Sequence, residues 1–148
     1  MSRKRSWRGV LDFTLTDTGP LVALINANDP YYERAKGLLP RLPKAPFRTT
    51  WPCFTEAMYL LRQAAGYPAQ DELWRFVAIG LVQLHSHEEA EWWRMRELMR
   101  TYRDTPMDMA DASLIAAAEA LSTDQVFTFD KHFYAYRLAD GSALGVVD

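Results

Sequence analysis

Residues 106–121 read Pro-Met-Asp-Met-Ala-Asp-Ala-Ser-Leu-Ile-Ala-Ala-Ala-Glu-Ala-Leu, an alanine-rich helical stretch with an acid where its buried face should begin. At helical spacing Asp111 shares a face with Leu114, Ile115 and Ala118. An ionised carboxylate in a core-facing stripe is costly unless it is paired or bound to a metal. No Lys or Arg lies between Asp104 and Lys131. The partner therefore comes from elsewhere in the fold or is an ion. A plainer role stays open beside this one. Asp108 suits the N-cap position after Pro106, with Asp111 at N3, where both accept backbone N–H groups and complement the helix dipole.

Short apolar strands alternate with helices along the rest of the chain. Val10 to Asp17 reads as a strand, with Phe13, Leu15 and Asp17 pointing one way and Thr14 and Thr16 the other. Thr18-Gly19-Pro20 turns into a helix through Ile25, and a second helix runs from Tyr31 to Leu39, stopped by Pro40. Strands are expected at Phe47 to Thr50, Leu81 to His85, Gln125 to Phe129 and Leu144 to Val147. Helices run from Pro52 to Ala65, C-capped by Gly66, and from Pro68 to Ile79. Ser86-His87-Glu88-Glu89 has the form of a capping box that starts a long helix to about Arg103. On that helix Trp92, Met95, Met99 and Tyr102 make an apolar stripe, and Trp93, Arg96, Arg100 and Arg103 a basic one. Such alternation predicts a three-layer α/β/α fold around a central, mainly parallel sheet. Ligands in such sheets bind outside the carboxyl ends of the strands, at the topological switch point.

One domain, 10–148, is expected from 148 residues, preceded by a basic, disordered extension at 1–9 that carries Arg3, Lys4, Arg5 and Arg8. Hydrophobic content of 49% and charged content of 24% match an ordinary globular protein rather than a disordered one. Cys53 is the only cysteine, which excludes an intrachain disulfide and a cysteine-based zinc site. No apolar run approaches the roughly 18 residues of a membrane span, and no secretory h-region is present. A cytoplasmic protein without a membrane partner is the expectation. Setting four acids aside moves the net charge from −2 to +2, so the total does not exclude a polyanionic partner.

Those four acids are Asp17, Glu56, Asp111 and Asp130. Asp17 and Asp130 each end an apolar strand at its carboxyl side, Asp111 begins a helix at that same edge, and Glu56 shares a helical face with Pro52, Cys53, Tyr59 and Leu60. At separations of about 5 Å and an effective dielectric of about 20, each like-charge pair costs roughly 3 kcal/mol. Four converging charges then cost roughly 20 kcal/mol, above the about 5 to 15 kcal/mol that stabilises a whole domain. Unless some protonate, a cation is required, and oxygen-only donors select Mg²⁺ or Mn²⁺ over zinc. Such sites commonly serve phosphoryl chemistry. Basic groups to hold the polyanion would come from Lys131, Arg62, Arg48 and the Arg96, Arg100, Arg103 stripe.

Leu15-Thr16-Asp17-Thr18-Gly19-Pro20, Phe54-Thr55-Glu56-Ala57, Met107-Asp108-Met109-Ala110-Asp111-Ala112 and Phe127-Thr128-Phe129-Asp130 together resemble the ordered acidic motifs of PIN-domain nucleases, and most closely the VapC-type toxins of toxin-antitoxin pairs. The resemblance covers roughly residues 12 to 147. It implies a Mg²⁺- or Mn²⁺-dependent endoribonuclease with Asp17, Glu56, Asp111 and Asp130 as catalytic, metal-holding acids. It also implies Asp108 as an auxiliary acid, Thr128 as a hydroxyl orienting Asp130 or a bound water, an RNA substrate, a homodimer, and an antitoxin that covers the site. The basic extension at 1–9 departs from the family pattern. A catalytically silent PIN-like scaffold that binds protein or RNA is the alternative.

Other features carry less. His85-Ser86-His87 could chelate a metal if extended, but one His ends a strand and the other begins a helix, so converging ligands are not expected. His132 reads as a loop residue. Cys53 reads as packing, with no base identifiable nearby, and Trp92 and Trp93 read as core by default. Ser113 lacks the nucleophile elbow of a hydrolase.

Overall fold

The computed structural model describes residues 13–43 and 46–148. The basic extension 1–9 and positions 10–12 of the first expected strand lie outside the described residues. Five strands and six α-helices are present among them: β1 Thr14–Leu15, α1 Thr18–Ile25, α2 Tyr32–Leu38, β2 Phe47–Thr50, α3 Trp51–Ala65, α4 Tyr67–Ala78, β3 Val82–His85, α5 Glu89–Thr101, α6 Met109–Ala120, β4 Gln125–Phe127 and β5 Gly145–Val147. Short 3₁₀ turns follow α2 at Leu39–Arg41 and β4 at Lys131–Tyr134. No helix is long and apolar enough to cross a membrane among the described residues.

Every strand pairing is parallel. β1 pairs with β2 and β2 with β3, while β4 pairs with β5. The two ladders are joined by a parallel bridge between Thr16 and Phe127, with the Asp17 amide donating to the Phe127 carbonyl at 2.9 Å. The resulting order is β3-β2-β1-β4-β5. From β1 the chain moves outward to β2 and β3, then returns to lay β4 on the other side of β1. The direction of winding reverses between β1 and β4, where an open parallel sheet leaves a crevice at its carboxyl edge.

Strand alternation decides which layer each residue joins. Leu15 and Val126 face Met95 and Leu98 of α5 and Leu114 and Ile115 of α6. Phe127 faces Ala23 of α1 with Ala35 and Leu38 of α2, and Val82 faces Leu21, Phe54 and Leu73 from α1, α3 and α4. The sheet is thus covered on both sides, as expected for a three-layer α/β/α architecture. Nine consecutive residues of α6, Ala110 to Ala118, are buried. Gly66 ends α3 at φ 75°, a backbone conformation that disfavours side chains with a Cβ.

Three local expectations are corrected. The long helix begins at Glu89, not after Ser86: Glu88 is its N-cap, and Glu91 closes the box by accepting the Glu88 amide at 3.0 Å. That leaves residues 86–88 outside both β3 and the helix, with Glu88 extended at φ −86° and ψ 169°. The core stripe of α5 is Met95 and Leu98, whereas Trp92 is 54% and Trp93 61% exposed, because α6 packs on a face rotated away from both indoles. Strand β4 stops at Phe127 rather than Phe129, since Thr128 turns its hydroxyl to two partners at the sheet edge.

Candidate functional site

At the crevice between β1 and β4 an open cleft is lined by Asp17, Glu56, Asp108, Asp111 and Asp130. Asp17 is the residue after β1 and also the N-cap of α1, so a single carboxylate closes the strand and accepts the Thr18 amide at 2.7 Å. Its other oxygen accepts the Thr128 hydroxyl at 2.7 Å, which fixes the carboxyl plane. Thr128 in turn accepts the Asp130 amide at 3.0 Å. Fully buried, the Thr128 hydroxyl is spent on Asp17 rather than on the Asp130 carboxylate. Asp130 caps the 3₁₀ turn, where its Oδ1 accepts the His132 amide at 2.9 Å and lies 2.8 Å from His132 Nδ1.

Across the cleft, Asp108 and Asp111 form the reciprocal box expected at the start of α6. Asp108 Oδ1 accepts the Asp111 amide at 2.9 Å, and Asp111 Oδ2 accepts the Asp108 amide at 3.2 Å. The capping role of Asp108 is therefore real, and Asp111 is both a cap partner and a cleft acid. Glu56, in the second turn of α3, completes the wall. Its helical face is not the apolar core face that its neighbours implied: Cys53 is buried, but Tyr59 and Leu60 are exposed, so Glu56 stands at the margin of the core and opens to the cleft.

Burial governs the electrostatics. Asp17 is pushed up to about 6 by desolvation, against the pull of the Thr128 hydroxyl and the Thr18 amide, with Glu56 and Asp130 adding repulsion. Asp111 is pushed up to about 8 by desolvation, with repulsion from Asp108, Asp17 and Asp130. The Lys and Arg ion pairs among the described residues involve none of these acids. Burial without a Lys or Arg partner among the described residues makes each of these charges costly, and a bound cation would offset that cost. A donor set of oxygens alone, in an open cleft, fits a hard divalent ion that keeps part of its water shell.

The basic groups expected around the acids are not in the cleft lining. Arg48 bonds Gln83 at 2.8 Å and lies over the Phe13 ring. Arg62, Arg96, Arg100, Arg103 and Lys131 are exposed and do not line it. What sequence reasoning missed is an aromatic platform at the rim. Tyr31 stacks on Phe129 at 4.8 Å and 15°, and Arg34 stands over Phe129 at 5.5 Å. Two aromatics separated by almost a hundred positions gave no signal in the sequence. Cys53 Sγ lies 3.7 Å from Asp17 Oδ1, and desolvation followed by Asp17 repulsion pushes the thiol well above its ordinary range, which makes it inert packing.

Comparison with known proteins agrees with this fold. The family described as PIN domain matches residues 14–138. Comparison with curated protein sequences finds no match. Among solved structures, the chain is similar to the Mycobacterium tuberculosis toxin VapC20, described as cleaving the Sarcin-Ricin loop, with a TM-score of 0.75 at 20% identity over 82% of this chain and 93% of that one. It is similar to Rickettsia felis VapBC2 bound to a promoter DNA fragment, with a TM-score of 0.63 at 14% identity over 92% and 99% of the two chains. A toxin-antitoxin complex from Klebsiella pneumoniae gives a TM-score of 0.62 at 18% identity over 91% and 96%.

Proposed function

The chain belongs to the PIN-domain family, and on that premise we propose that it is a VapC-type toxin, an endoribonuclease that hydrolyses RNA phosphodiester bonds with Mg²⁺ or Mn²⁺. The observation that carries this reading is the meeting of Asp17, Glu56, Asp111 and Asp130 at the switch point, two of them buried without a basic ion-pair partner among the described residues.

Asp17, Glu56, Asp111 and Asp130 would hold the ion, with Asp108 as an auxiliary acid. When bound, the ion supplies positive charge for the phosphate and acidifies water for attack on phosphorus. The chain's own residues set the stage. Thr128 and the Thr18 amide orient Asp17 and favour its charged form. Burial and the Asp108 carboxylate beside it raise Asp111, and a bound cation would offset both. The exposed face of Tyr31 extends the Phe129 stack toward the cleft and offers a surface for an unstacked nucleobase. A looped RNA is the substrate class to test first, given the VapC20 likeness.

A toxin of this kind needs an antitoxin to cover its cleft, and a homodimer and a cytoplasmic setting belong to the same proposal. The exposed indoles of Trp92 and Trp93 on α5, and of Trp51 and Trp74 on α3 and α4, support protein partners. The test is cleavage of looped RNAs by purified protein, with Mg²⁺ or Mn²⁺ and with chelator. Cleavage that needs the ion is expected. A chain that neither cuts RNA nor melts higher with Mn²⁺ is instead the silent scaffold, because an ion bound only to the folded form must raise the melting temperature.

A further inference from the structure

On the β3 side of the same sheet edge, β3 ends and α5 begins around a second group of ligand-type side chains. His85 closes β3, His87 lies in the linker 86–88, and Glu91 stands in the first turn of α5. Each offers a ligand atom, and these atoms lie within 4.8 Å of one another. The expectation that His87 begins a helix put the two rings apart. With Glu88 as the N-cap, His87 stays outside the helix and the rings meet edge to face at 4.9 Å.

The surroundings are arranged as an ion would need. His87 Nε2 is 2.9 Å from the Ser113 carbonyl oxygen, which can only accept, so Nε2 carries the proton and the neutral ring keeps its lone pair on Nδ1. A backbone carbonyl that fixes the tautomer in this way is the usual outer support of a metal-binding imidazole. Glu91 is held from its other oxygen by the Glu88 amide at 3.0 Å, so its carboxylate is oriented before anything binds. His85 Nε2 lies 2.7 Å from Glu91 Oε1, and the two side chains are 14% and 16% exposed, shielded yet reachable.

We propose that His85, His87 and Glu91 form a second metal site, separate from the acidic cleft, that takes a borderline divalent transition ion of the Zn²⁺ class. Two imidazoles and one carboxylate suit zinc and its neighbours, whereas Mg²⁺ prefers oxygen. The ion takes the place of the His85–Glu91 hydrogen bond. The displaced imidazole proton moves to Nδ1 or, from a charged ring, to solvent, and water completes the tetrahedron. Its role is that of a clip. It joins the end of β3 to α5 and, through the Ser113 carbonyl, to α6, the helix that carries Asp111. The Ser113 hydroxyl is 2.6 Å from that of Thr50, the N-cap of α3, which carries Glu56. Two elements of the acidic wall therefore abut the clip.

The test is a Zn²⁺ titration of the full chain without a polyhistidine tag, in an Asp17→Asn, Asp111→Asn background with excess Mg²⁺, read by melting temperature and by metal retained after gel filtration. One Zn²⁺ per chain and a rise in melting temperature are expected. His85→Ala and His87→Ala should each weaken Zn²⁺ by at least about 10-fold. Glu91→Gln, which keeps an oxygen for the Glu88 amide and so preserves the helix start, should weaken it in the same direction. Zn²⁺ that is not retained, or retained equally by Glu91→Gln and the two His variants, overturns the proposal without touching the nuclease reading.

Discussion

Asp17 and Asp111 face the same cleft from two sides, the end of β1 and the first turn of α6, and each is 7% exposed. Their carboxyls are held differently. Asp17 receives two short donors, the Thr128 hydroxyl and the Thr18 amide, both at 2.7 Å. Asp111 receives the Asp108 amide at 3.2 Å and shares its turn with the Asp108 carboxylate. Burial lifts both, but Asp17 only to about 6 and Asp111 to about 8. Similar exposure leaves room for different acidity: the donors aimed at the charge, and the charges beside it, set how far desolvation is offset. Both carboxyls are raised, and the strand side has the stronger donors to offset its desolvation.

The largest effect expected comes from neutralising the strand side. Asp17→Asn should lower RNA cleavage by more than the about 10- to 100-fold typical of losing an outer partner of a metal site, while far-UV circular dichroism is retained. Cleavage within about that range would remove Asp17 from the acids that hold the ion.

Stability of the metal-free protein as a function of pH separates the two sides next. Both folded values lie above the ordinary 3.8, so folding favours the protonated forms. That stabilisation is complete below pH 3.8 and is lost as pH rises, through about 6 for Asp17 and about 8 for Asp111. Asp17 alone should account for a fall of about 3 kcal/mol, at about 1.4 kcal/mol per pH unit. Urea midpoints should show Asp17→Asn flattening the curve below about pH 6, and Asp111→Asn flattening it up to about pH 8. Saturating Mn²⁺ should restore the high-pH arm. Curves of unchanged slope in both variants would refute the buried-carboxyl account.

Thr128→Val sharpens the contrast by removing the donor that sets Asp17 apart. Asp17 should then titrate higher, toward Asp111, and cleavage should fall by about 10- to 100-fold with the fold retained. The smallest effect is at the rim. Tyr31→Ala should raise KM by about 10-fold with kcat little changed, the loss of one base stack. A loss confined to kcat would place Tyr31 with the acids instead.

What could be read along the chain followed from local rules. The alternation Phe13, Leu15, Asp17 fixed the face of an acid at a strand end, and Asp108 followed by Asp111 announced a reciprocal cap. Both are short-range, period-two or one-turn patterns that leave the backbone little choice. Glu56 is legible as a candidate, but its spacing from Pro52, Cys53, Tyr59 and Leu60 does not say which of these neighbours other elements cover. Trp92 and Trp93 failed for the same reason. Ser86 was misjudged as the N-cap because Ser and Glu88 both precede acids at suitable spacing, and the side chain that closed the box was Glu91. That shift alone hid the meeting of His85 and His87.

Periodicity and capping, which act within a few residues, fix the parallel α/β layering and the places of Asp17 after β1 and Asp111 in the first turn of α6. The folded chain alone brings Thr128, 111 positions from Asp17, to give its hydroxyl to that carboxylate. The same holds for Tyr31 reaching Phe129 and for Ser113 turning its carbonyl to His87. These contacts depend on how the sheet winds outward from β1 and then back past it, and no local rule constrains residues that the winding brings together from distant turns of the chain.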